Sequence, residues 1–119
     1  MITVSIFRDK KSKTLILKLS GHAGAAEAGH DIICASATIL AYTVAQEAKN
    51  MEKRHQLSKP PFIKMEEGDI EITVHPKNDA AHADALHTFY VAEVGYSLLA
   101  YNYPQFVELL KVNETDYRS

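Results

Sequence analysis

The chain has 119 residues and a mass of 13.3 kDa, a length that suits one domain covering 1–119. With 46% hydrophobic and 24% charged residues it can fill a core, which argues against disorder. Its 13 Lys and Arg against 15 Asp and Glu lack the basic excess that a phosphate backbone attracts, so nucleic acid is not expected as a direct partner.

Ile2, Val4 and Ile6 alternate with Thr3, Ser5 and Phe7, the period of a strand. A charged turn from Arg8 to Lys13 leads to Leu15, Leu17 and Leu19, which alternate in the same way, so the chain opens with a hairpin. Residues 21–30 then read Gly-His-Ala-Gly-Ala-Ala-Glu-Ala-Gly-His, with three of the five glycines. Such a stretch has few large apolar anchors, so a mobile loop with hinges at Gly21, Gly24 and Gly29 is expected. Asp31 is a good helix N-cap, and the helix after it carries no charge from Ile32 to Ala45. An all-round apolar helix is expected to be buried on more than one face.

Pro60-Pro61 ends the following linker. Phe62 to Met65 forms a third strand, Glu66-Glu67-Gly68-Asp69 a turn, and Ile70, Ile72 and Val74 a fourth strand. A second helix begins near Asp79; Leu86, Phe89, Tyr90, Val94, Leu98 and Tyr101 recur at steps of three and four and mark its apolar face. Pro104 ends it, and Phe106 to Val112 reads as the last strand. The order ββαββαβ predicts an α+β fold, a mostly antiparallel sheet with two helices packed on it. No apolar run approaches the roughly 20 residues of a membrane span. The opening residues also lack a basic flank followed by an apolar stretch, so the expected location is the cytoplasm with no membrane contact.

The single cysteine rules out an internal disulfide and a multi-cysteine metal site. With Asp31 as cap, Cys34 is the third helical residue, where free amides and the helix dipole favour a thiolate. His22, twelve positions upstream across the loop, can fold back beside it, and a cysteine activated by a histidine is an arrangement for nucleophilic catalysis. The alternative is that Cys34 is a small buried hydrophobe. Thr38, one turn further on, either lines the same site or bonds a backbone carbonyl. His30 and Cys34 stand four apart, but no second cysteine or His-Glu-x-x-His pattern accompanies them, so neither metal nor cofactor is expected.

Gly21-His22-Ala23, the small-residue loop and Gly29-His30-Asp31-Ile32-Ile33-Cys34-Ala35-Ser36-Ala37-Thr38 resemble the signature of the bacterial ribosomal-processing cysteine protease family (Prp). The likeness extends to the opening hairpin, the Gly68 turn and Tyr103-Pro104. Departures are Ile33 for a common valine, and Ala25 and Ala28 where members often carry tyrosines. The resemblance implies a small homodimeric cysteine protease with Cys34 as nucleophile and His22 as general base. It also implies the substrate, the precursor of a large-subunit ribosomal protein, the twenty-seventh of the series, which loses a short N-terminal extension. Backbone amides near Ile33 and Cys34 are expected to hold the oxyanion. Asp31 is either a cap alone or a third member orienting His22. The acidic stretch Glu66, Glu67, Asp69 and Glu71 is a solvated turn or an attractor for a basic tail. Two other classes remain open: a non-catalytic ribosome-assembly binding module using the same cleft, and a thiol redox sensor, which would lack a resolving cysteine.

Overall fold

The computed structural model describes residues 1–22 and 28–113, with 28–31 and 111–113 as backbone only. The elements are β1 (Ile2–Asp9), β2 (Thr14–Ser20), α1 (Ala28–Lys53), β3 (Phe62–Glu66), β4 (Asp69–Val74), α2 (Asp79–Asn102) and β5 (Val107–Asn113). The five strands form one sheet in the order β3-β4-β2-β1-β5. All neighbours are antiparallel except β1 and β5. The expected α+β architecture is the one observed.

Alternation sets the two faces of the sheet. Ile2, Val4, Ile6, Leu15, Leu17, Leu19, Ile70, Ile72 and Val74 are all buried and form one apolar face with Val107. The residues that alternate with them are mostly polar (Thr3, Ser5, Lys18, Glu71 and Thr73), with Phe7 and Ile16 the apolar exceptions. Both helices cover the apolar face, so the molecule has two layers. What lets them lie close is small side chains: Ala37, Ala41, Ala45 and Ala48 on α1, and Ala81, Ala85 and Ala92 on α2, are all buried. Ile33, Val44 and Met51, with Phe89 and Tyr96, fill the space between those alanines. Tyr96 also ties the helices together, donating its hydroxyl to the Ala37 carbonyl at 3.0 Å. Burial pushes that phenol well above its ordinary titration range. Between the two layers, Arg8 of β1 forms an ion pair with Glu93 of α2.

Three expectations need correction. Helix α1 begins at Ala28, not after Asp31, so Gly29 is helical and Asp31 is the fourth residue of the helix rather than its cap. Cys34 is consequently the seventh residue. Next, α1 is buried on one side only: Ile32, Ile39 and Tyr42 are exposed. Finally, the sheet-facing side of α2 is its alanine side with Phe89 and Tyr96, while Tyr90, Val94, Leu98 and Tyr101 face outward. A face rich in alanine can approach the sheet more closely than one of large residues, and tight packing decided the orientation. The α2 start, by contrast, falls at Asp79 as expected, with Asn78 as N-cap accepting the Ala81 amide at 2.9 Å.

Candidate active site

Strand β2 runs out at Ser20, which pairs with Asp69 at the start of β4. That register brings Gly21 beside the turn of the β3–β4 hairpin, and the Gly21 amide donates to the Gly68 carbonyl at 3.0 Å. Gly21 takes φ +88°, and a Cβ there would run into the Met1 carbonyl oxygen. It is a packed corner of the fold, not the free hinge expected of it. Gly24 lies outside the described residues.

His22 follows immediately. Its carbonyl accepts a hydrogen bond from the Met1 nitrogen, and its ring lies over Gly68. A Cβ on Gly68 would stand 2.7 Å from the His22 Nε2. Gly68 has φ +75°, so the turn needs glycine for its backbone as well as for the space.

Opposite this corner stands the N-terminal part of α1. A cleft of about 300 Å³ opens between the two, lined by His22, Cys34, Thr38 and Tyr42, by Met65 to Ile70 of the hairpin, and by Ile2 and Leu19 beneath. Cys34 is half-buried and has no disulfide partner. The structure therefore brings Cys34, His22 and Thr38 into one cleft. Among the described residues no hydrogen bond joins the thiol to the imidazole; contacts of this kind often tighten only when substrate binds.

Thr38 differs from its hydroxyl neighbours. Ser36 and Thr43 bond back to the carbonyls four residues earlier, both at 2.8 Å. Among the described residues the Thr38 hydroxyl makes no such bond, which leaves it available in the cleft. The amides of Ile33 and Cys34 are not available: in a helix starting at Ala28 they bond to the carbonyls of Gly29 and His30. The expected oxyanion site at those two amides is corrected accordingly, because only the first four amides of a helix are free. The Asp31 side chain lies outside the described residues.

The rim of the cleft is acidic, with Glu66, Glu67 and Asp69. Asp69 is paired with Lys64 at 2.6 Å and holds that ammonium above the usual lysine range. Among the described residues no group of three His, Cys, Asp or Glu side chains is gathered as a metal ion would require. No described helix is long and apolar enough to cross a membrane.

The sequence reading missed the hairpin wall, Met65 and Gly68 above all, and Tyr42. Gly68 was recognisable as a turn glycine. Its position beneath His22 follows only from the β2–β4 pairing, which no local pattern reveals.

A free, half-buried thiol and an imidazole line one cleft of a two-layer α+β domain, the pair of groups that a thiol protease uses. The sequence pattern of the family described as cysteine protease Prp matches residues 1–108. SMU.848 from Streptococcus mutans is similar in structure, at TM-score 0.66 and 24% identity over 96% of each chain. The essential ribosomal processing protease Prp from S. aureus, solved with a substrate peptide, is similar at TM-score 0.62 and 25% identity, over 93% of this chain and 99% of that one. The same S. aureus protease has also been solved with a covalently linked product peptide, and matches at TM-score 0.61 and 24% identity. Among curated protein sequences none matches. The chain belongs to the cysteine protease Prp family, the ribosomal-processing cysteine proteases.

Proposed function

We propose that the protein acts in the cytoplasm as a homodimer and removes a short N-terminal extension from the precursor of a large-subunit ribosomal protein, the twenty-seventh of the series. The observation that carries this reading is that Cys34 and His22, from different elements, line one cleft. His22 takes the Cys34 proton, and the sulfur adds to the scissile carbonyl carbon. The tetrahedral intermediate collapses with cleavage of the C–N bond, and the protonated His22 gives its proton to the departing amine. Water, deprotonated by His22, then hydrolyses the thioester, releasing the carboxylic acid and restoring the thiol. Thr38 lines the site, within reach of the substrate carbonyl. Asp31, in the first turn of α1, has the task of orienting His22 in this reading. Gly24 would supply loop freedom for substrate entry. The acidic rim of Glu66 and Glu67 suits a substrate as cationic as a ribosomal protein. That the S. aureus relative was solved with a substrate peptide and with a covalently linked product supports a covalent route for this chain too.

The test is intact-mass analysis of the ribosomal-protein precursor from the same source after incubation with wild type or Cys34→Ala. Loss of an N-terminal peptide with wild type only is the expected result. Cleavage by both proteins would remove Cys34 from the chemistry, and stable binding by both without cleavage would favour the non-catalytic assembly module.

A further inference from the structure

Strand β3 is the outer strand of the sheet on the cleft side. Its pairing with β4 starts at Glu66 and Asp69, across the two-residue turn Glu67-Gly68. In an antiparallel ladder alternate residues exchange hydrogen bonds with the partner strand. Counting from the turn, Glu66, Lys64 and Phe62 bond to β4, and the N–H and C=O groups of Met65 and Ile63 point away from the sheet. Among the described residues no backbone group bonds to that side of β3.

Such an edge is a template for another extended chain, and this one is open selectively. At its far end Pro60 and Pro61 precede Phe62 and offer no N–H to an added strand. At its near end Met65 lines the cleft together with Cys34 and His22. The side chains of Met65 and Ile63 lie on the helix-covered face, since their partners Ile70 and Ile72 are buried there. A chain added beside β3 would thus pass its backbone along Met65 and send every second side chain toward the cleft.

We propose that the substrate binds as an added strand on the β3 edge, its backbone hydrogen-bonded to Ile63 and Met65, and that this pairing delivers the scissile carbonyl to Cys34. The inference rests on the protease reading of the cleft. An extended polypeptide is the occupant the edge fits, because only a backbone repeats donors and acceptors at the strand period. The edge also runs directly into the reacting cleft. Affinity comes from main-chain bonds, and selectivity from the alternate side chains that reach Tyr42, Met65 and the acidic rim.

The experiment uses wild-type protein and a quenched fluorogenic peptide spanning the processing junction of the ribosomal-protein precursor, made as a series with one backbone N-methyl group at each successive residue. Strand pairing predicts a period of two: methylation at every second position lowers kcat/KM by about tenfold, the order of one lost hydrogen bond, and the intervening positions change little. On the protein side, Met65→Pro removes the outward N–H together with a side chain that packs on the core and lines the cleft, so it should lower kcat/KM by at least a similar factor with some loss of melting temperature. A flat N-methyl series with the parent peptide still cleaved would overturn the strand mode and leave the protease reading standing. Failure of wild type to cleave the parent peptide while its folded mass and melting are normal would overturn both. The peptide series stands on wild-type protein, so it decides the matter even where Met65→Pro fails to fold.

Discussion

Gly68 contributes no functional group, yet two constraints meet at it. Its backbone sits at φ +75°, and its missing Cβ is the space that the His22 ring occupies. Gly68→Ala should cost about 1 kcal/mol from the backbone alone. It should also displace the imidazole, and misplacing a reacting group by an ångström lowers rates by up to about 100-fold. The expected outcome is a kcat reduced by at least about tenfold with KM nearly unchanged and a small loss of melting temperature. An undiminished kcat in steady-state kinetics would mean that His22 does not depend on this contact. Thr38 shows the same economy in another way: it sits one helical turn after Cys34 and among the described residues its hydroxyl is unspent, while Ser36 and Thr43 use theirs on the helix.

At the scale of elements, the strands were readable because alternation of apolar and polar residues has one physical meaning on a sheet with one covered face. Helix α2 could be started correctly because Asn78 caps it. Helix α1 could not, because Ala28-Gly29-His30 precede Asp31 with nothing that stops a helix, and a good capping residue inside a helical run is indistinguishable from a cap. Which helix face meets the sheet is a separate matter. Tyr90, Val94, Leu98 and Tyr101 do mark an apolar face at helical spacing, but the face laid on the sheet is the one that carries the alanines. The cleft was half-legible: Cys34 and His22 lie near each other in the chain, but the hairpin wall comes from pairing over long range.

Histidine burial adds a pH dependence at the same scale. His75 follows β4, and its Nδ1 lies 3.1 Å from the Thr14 hydroxyl oxygen. Burial, with help from Lys59, holds it below its ordinary 6.5. His82 on α2 is lowered likewise by burial and by Lys13, against the opposing pull of Asp79. A histidine that is harder to protonate when folded stabilises the fold above its unfolded pKa. That stability is lost as pH falls from about 6.5 through the lower folded values. Melting temperature should therefore drop between about pH 7 and pH 5, and His75→Gln should shallow that drop when the two proteins are scanned side by side. An identical slope would show that His75 carries none of it.

The molecule as a whole presents a broad apolar surface on the outer side of its helix layer. Ile39 and Tyr42 of α1 and Tyr90, Val91, Val94, Leu98 and Tyr101 of α2 are exposed, Tyr101 to 84%. A groove of about 640 Å³ runs between the helices among Ile39, Tyr42, His87 and Val91. Contiguous apolar surface of this kind marks an association site, and a second copy of the chain is the partner that the homodimer proposal assigns to it. Light scattering should give twice the 13.3 kDa chain mass for wild type and the single mass for a Val94→Glu, Leu98→Glu double variant. A monomeric wild type at micromolar concentration would sink the assignment.

The order of the strands carries a consequence for the newborn chain. The thiol and the imidazole both lie within the first 34 residues, yet the facing wall is built from residues 65–70. The last strand in the chain, β5, pairs with the first, β1, at the two ends of the described chain. During synthesis, which delivers the N-terminal part first, both reacting groups emerge long before there is a cleft to hold them. Cys34 and His22 therefore share a cleft only after the β3–β4 hairpin has been made and has paired with β2, about 30 residues further along the chain than the thiol.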